Sequence, residues 1–109
     1  MAGALMEWDF TSRDLAELYE TGKSRKYKGL PPSVVKKFIA RISQIEAAES
    51  IYDLWKTGSL QFKKLQGENN LYSMRVDLHW RLEIEIDWKD EKQTCGCFKV
   101  KDLSNHYGD

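Results

Sequence analysis

Two periodicities divide this chain. From Leu65 to Ile86 the stretch LQGENNLYSMRVDLHWRLEIEI alternates apolar and polar positions. Tyr72, Met74 and Val76 interleave with Ser73, Arg75 and Asp77, and Trp80, Leu82, Ile84, Ile86 and Trp88 interleave with Arg81, Glu83, Glu85 and Asp87. A period of two marks strands with one buried and one solvated face, so the stretch predicts an antiparallel hairpin. Upstream, Val35, Phe38, Ile39, Ile42 and Ile45 recur at the helical period, which predicts an amphipathic helix from about Pro31 to Ala48. Pro31-Pro32-Ser33 suits its first turn, where the N–H groups have no helical partner. A shorter helix is expected between the N-cap candidates Thr11 and Ser12 and the terminating Gly22, with Leu15, Leu18 and Tyr19 on its apolar side. Ser50 to Lys56 reads as one or two further helical turns. Met6–Phe10, Gln61–Leu65 and Thr94–Lys101 read as strands, the last with Phe98 and Val100 in core parity.

The order is therefore strand, two helices, then a meander of about four strands, an α+β chain whose helices cover the oily side of the sheet. Residues 1–109 are expected to form a single domain, with 1–5 a disordered or cloning-derived N-terminus. Parity limits the hairpin register, because facing residues must sum to an even number or one strand would turn its core face outward. A three-residue turn at Asp77-Leu78-His79 sets Arg75 opposite Arg81, while a longer turn sets Arg75 opposite Glu83. Like charges face to face cost stability and hint at an anion site; the second register is an ordinary ion pair. Both stay open from the hairpin alone. The last strand, paired antiparallel, is expected to bring Lys99 or Lys101 beside Arg81.

Composition changes the picture in one respect. With 41% hydrophobic and 31% charged residues and net charge zero, the chain suits a globular protein with no membrane span. Yet no acidic residue lies between Glu20 and Glu46, an interval holding Lys23, Arg25, Lys26, Lys28, Lys36, Lys37 and Arg41. Such a block is either a solvated loop and helix face or a contact for phosphates or an acidic partner. Lys36, Lys37 and Arg41 fall off the apolar stripe, on the side expected to face solvent. Cys95 and Cys97 are too close along one strand for an ordinary disulfide, which fits a reducing, cytoplasmic setting. With only His79 and His106 beside them they fall short of a zinc framework, so no metal or other cofactor is expected.

Lys63, Arg75, Arg81, Lys101, His106 and Tyr107 can all reach one charged sheet face or its rim. Cleaving an RNA phosphodiester needs a base for the 2′-OH, cations for the phosphate and an acid for the departing 5′-oxygen. Arginine matches phosphate oxygens, histidine titrates near neutrality, and a tyrosine can stack on a base. Singly, each of these residues is more simply read as solvated.

The run Lys63-Lys64-Leu65-Gln66-Gly67, then Leu71-Tyr72-Ser73-Met74-Arg75-Val76, then Trp80-Arg81-Leu82, resembles the core of the RelE/ParE toxin superfamily, in its HigB-like branch. The likeness spans about Met6 to Tyr107. It implies two helices on a curved, mainly antiparallel sheet of four to five strands. It also implies a toxin of a type II toxin–antitoxin pair that cuts messenger RNA on the ribosome and so inhibits translation. Its partners would be the ribosome, mRNA and an antitoxin encoded beside it, of helix-turn-helix type, with operator DNA reached only through the antitoxin complex. Arg81 takes the position of the arginine that contacts the scissile phosphate in such relatives, with Arg75 beside it. Lys63 takes the position of the general base, which several relatives fill with His or Glu. His106-Tyr107 is similar to the His-Tyr ending of certain RelE-like relatives, whose histidine is the general acid. Lys101, Lys64, Lys36, Lys37 and Arg41 are the expected RNA and ribosome contacts. HigB toxins ending in Asp-Tyr-His differ from this chain, where Leu103-Ser104-Asn105 separates Asp102 from His106, and they often carry Lys in place of Gln66. Two other readings share the fold: a ParE-like toxin that binds DNA gyrase without cutting RNA, and a degenerate, antitoxin-binding co-repressor.

Overall fold

The computed structural model describes residues 7–65, 67 and 70–105. Helix α1 spans Arg13–Thr21; Ser12 caps it by accepting the Leu15 N–H at 3.2 Å, and Gly22 closes it at φ 78°, a left-handed turn that glycine enters without a Cβ clash. Helix α2 spans Pro32–Ala47 and α3 Ile51–Trp55, the latter capped by Ser50, whose Oγ accepts the Tyr52 N–H. These ends lie within a residue or two of those the capping residues predict. A 3₁₀ turn follows at Gly58–Leu60.

The strands are β1 (Glu7–Phe10), β2 (Lys63–Lys64), β3 (Leu71–Arg75), β4 (Arg81–Trp88) and β5 (Gly96–Ser104). They form one five-stranded sheet in the order β1-β5-β4-β3-β2. β2 to β5 pair antiparallel, while β1 lies parallel to β5, setting Trp8 opposite Phe98. The helices cover one face. Leu15, Leu18, Phe38, Ile42 and Ile45 meet Met74, Leu82, Ile84, Ile86, Phe98 and Val100, all at or near full burial. Among the described residues no helix is long and apolar enough to cross a membrane.

Two expectations about strands are corrected. β2 is only two residues long, because Phe62 leaves strand geometry to stack on Tyr72 at 5.3 Å, in the core. β5 begins later and runs further than Thr94–Lys101. Its register against β4 slips between Glu83 and Ile84: Val100 faces Ile84, but Asp102 faces Glu83, so Lys101 is the extra residue of a bulge. The slip moves the core parity of β5 from even to odd numbers, and Leu103 is buried beside Leu82. β5 opens on Gly96, opposite Trp88, where a Cβ would meet the Asp87 carbonyl oxygen at 2.5 Å, so only glycine allows this close approach. The turn before it is tied by Asp90, whose carboxylate accepts the Thr94 and Cys95 N–H groups and the Thr94 hydroxyl.

Candidate functional site

The face of the sheet away from the helices carries two polar rows. Lys63, Ser73, Glu83 and Asp102 face one another across β2 to β5, and Arg75, Arg81 and Ser104 form the next row. Of the two registers the sequence leaves open, the structure has Arg75 opposite Arg81. The turn explains the choice. The Val76 N–H donates to the Trp80 carbonyl at 2.9 Å, and the Asp77 carboxylate accepts the N–H groups of His79 and Trp80, at 2.9 and 3.0 Å. An aspartate that binds the backbone two and three residues ahead holds the short turn closed.

Two like charges then sit side by side, and Arg81 is only 7% exposed. Its guanidinium is met by acceptors: Nε donates to the Ser73 hydroxyl at 3.0 Å, Nη2 to the Gln61 carbonyl at 2.5 Å and Nη1 to the Gln61 side-chain oxygen at 3.4 Å. Ser73 is fully buried, and Gln61 adopts left-handed backbone (φ 44°, ψ 48°). Neither residue is marked out by the sequence as a partner of Arg81. Ser73 does occupy the polar parity of β3 one rung from it, whereas Gln61 gives no signal. Arg75 is half-buried and its Nε donates to the Asp77 carbonyl at 3.3 Å.

The remaining expected site residues fall in different places. Lys63 is exposed in the row beside Arg75 and Arg81, and Lys64, opposite Tyr72, has the other parity. Lys36 and Lys37 are exposed on α2, away from the rows. The expectation of a solvent-facing Arg41 is corrected. Its Nε donates to the Arg75 carbonyl at 2.7 Å, Nη2 to the Val76 carbonyl at 3.2 Å and Nη1 to the Gln44 side chain at 3.1 Å, so it clamps α2 to the end of β3. Burial first, and nearby Arg75 second, hold its pKa below the usual arginine value. Lys101 is likewise corrected: the bulge leaves it 3.5 Å from Glu85, and Ser104 is the residue opposite Arg81. Lys99 stands opposite Glu85 in the register, not beside Arg81. His106 and Tyr107 lie outside the described residues.

Asp102 is engaged as well. Its Oδ1 accepts the Tyr27 hydroxyl at 2.7 Å and the Leu103 N–H at 2.9 Å, with Lys26 at 3.9 Å. Burial, and then the bond to Asp102, push the Tyr27 phenol well above its ordinary value. Among the described residues no three His, Cys, Asp or Glu side chains converge as metal ligands. The rows therefore set Arg75, the buried Arg81 and the exposed Lys63 near the carboxylates of Glu83 and Asp102, with a buried hydroxyl and a carbonyl fixing the central arginine.

A family model described as the RelE-like toxin of the type II toxin–antitoxin system HigB matches residues 8–94. The match takes in Lys63, Arg75 and Arg81 and ends before β5. No curated protein matches the chain.

Proposed function

This chain belongs to the RelE-like toxins of type II toxin–antitoxin systems, in the HigB-like family, and from that premise we propose that it is an endoribonuclease that cuts messenger RNA on the ribosome, in the cytoplasm, and so halts translation. The observation that carries the reading is the Arg75–Arg81 pair on the polar face, with Lys63 in the adjoining row. A fold does not set two arginines face to face, one of them buried, without cost, and a phosphate between them would repay it.

In this reading Arg81 and Arg75 bind the non-bridging oxygens and stabilise the charge that builds on phosphorus. Lys63 takes the proton of the 2′-OH, whose oxygen attacks the phosphorus. The P–O5′ bond breaks, His106 delivers a proton to the leaving oxygen, and the product ends in a 2′,3′-cyclic phosphate. Tyr107 stacks on a base. Lys36 and Lys37, exposed and without an ion pair among the described residues, contribute contacts to ribosomal RNA. Arg41 drops out of these roles, because its guanidinium is committed to three acceptors within the fold, whereas Lys101, exposed beside Glu85 in a surface ion pair, keeps its place as an RNA contact.

The test is primer extension on a messenger RNA in a purified translation system. Cuts within codons that require ribosomes and vanish with Arg81→Ala and with His106→Ala are expected. Cuts that survive both changes would keep the reaction and refute the site. No cuts, with filamentation and DNA damage on expression, would transfer the toxin to the gyrase-binding class; no toxicity would leave the co-repressor.

A further inference from the structure

The loop between α1 and α2 is not used by the proposed reaction, yet it walls a groove of about 490 Å³, lined by Glu17, Lys23, Ser24, Arg25, Lys28 and Val35 among others. Its apolar lining comes from Leu30 and Val35, both part-buried, and from the largely buried Tyr27. Its rim carries Lys23, Arg25 and Lys28, all exposed and none in an ion pair among the described residues. The fourth basic residue of the loop, Lys26, turns away to Asp102. In the wall, the Ser24 side-chain oxygen is buried without a hydrogen-bond partner. Glu17 is the one acidic lining residue among those described.

We propose that this groove docks an acidic segment of the antitoxin, seating an aliphatic side chain on Leu30 and Val35 and setting carboxylates against Lys23, Arg25 and Lys28. A type II toxin has a cognate antitoxin, and the complementarity selects protein over nucleic acid. A base-stacking RNA site would offer an exposed aromatic face, whereas here the one aromatic ring is buried, the apolar lining is otherwise branched aliphatic, and Arg25 is the single guanidinium on a rim otherwise made of lysines. An amphipathic acidic peptide matches both the apolar lining and the uncompensated rim. The loop is also tied through Tyr27 to Asp102 on β5, so a segment bound here grips the element that leads toward His106. The proposal rests on family membership and not on RNA cleavage.

The test uses the full chain and the antitoxin encoded beside it. In the complex, backbone amides of 22–30 should gain protection from hydrogen exchange. The triple change Lys23→Glu, Arg25→Glu, Lys28→Glu should weaken the complex by about tenfold or more at low salt, mainly through slower association, with the difference shrinking as salt rises. Lys36→Glu with Lys37→Glu should leave antitoxin affinity unchanged. Absence of protection in this loop overturns the proposal, even if the triple variant fails to fold. So does a folded triple variant that keeps antitoxin affinity and instead loses ribosome co-sedimentation, which would make the groove an RNA site.

Discussion

Arg81 is a charge buried next to a like charge, and what makes that tolerable is local. Its Nε donates to the Ser73 hydroxyl on β3 at 3.0 Å. Ser73→Ala should lower stability by about 1–3 kcal/mol in urea unfolding, because it removes the hydroxyl that Nε of the buried arginine donates to. Gln61 contributes chiefly through its carbonyl, which any residue keeps, and pays for it with left-handed backbone. Gln61→Gly should therefore raise stability by about 1 kcal/mol in the same measurement, since the weak 3.4 Å side-chain contact is lost and the strain relieved. If Arg81 holds the transition-state phosphate, Arg81→Ala should cut the cleavage rate on ribosomes by about 10²–10³-fold while ribosome binding persists. The arginine itself was legible as a site candidate from its place in the hairpin. Of its acceptors, Ser73 had only its strand parity as a signal and Gln61, twenty residues away, had none, because a hydrogen bond from outside the strands leaves no trace in periodicity.

At the scale of elements, turns and edges decide registers that strands alone leave open. Apolar alternation permits Arg75 to face Arg81 or Glu83; the Asp77 carboxylate, by holding the three-residue turn, selects the first. The bulge at Lys101 did have a signal: Phe98 and Val100 are even-numbered, Leu103 is odd, and a strand that keeps both in the core must slip by one. The β4–β5 turn depends on Asp90, whose bonds from the Thr94 side chain and then the Cys95 N–H hold its carboxyl below the usual value. A depressed carboxyl stabilises the fold above its unfolded pKa, and that contribution is lost as pH falls through the folded one. Asp90→Asn should therefore destabilise at neutral pH and flatten the acid limb of the unfolding curve below about pH 4. Tyr27 gives the opposite sign at the other end. Its raised phenol keeps its proton in the fold, so its contribution is complete below the ordinary value of 10.0 and is lost as pH rises beyond it. Tyr27→Phe should remove that alkaline loss and lower stability at neutral pH, read as the melting temperature from pH 7 to 11.

For the whole molecule, one sheet separates an apolar layer from a polar one, and the toxin's surfaces divide along it: arginines on the open face, exposed lysines on α2, a basic groove beside α1. Lys36→Glu with Lys37→Glu should weaken co-sedimentation with ribosomes without changing the melting temperature, because neither side chain touches the core. The sequence by itself determined most elements and their faces, since apolar periods of two and 3.6 put Met74 and Leu82 on the buried face of their strands and Phe38 on that of its helix, and capping residues mark where helices stop. It also placed the chain among RelE-like toxins, because Lys63 to Leu82 holds the spacing of that hairpin. Tertiary structure alone decided the rest. β1 runs parallel to β5, a pairing across some ninety residues of chain that no local pattern encodes. Arg41, polar and off the helical stripe, became a clamp because the end of β3 presented two bare carbonyls to it. A charged side chain is written in the sequence as a charge; whether it meets solvent, an acceptor or a partner is fixed only when another part of the chain arrives beside it.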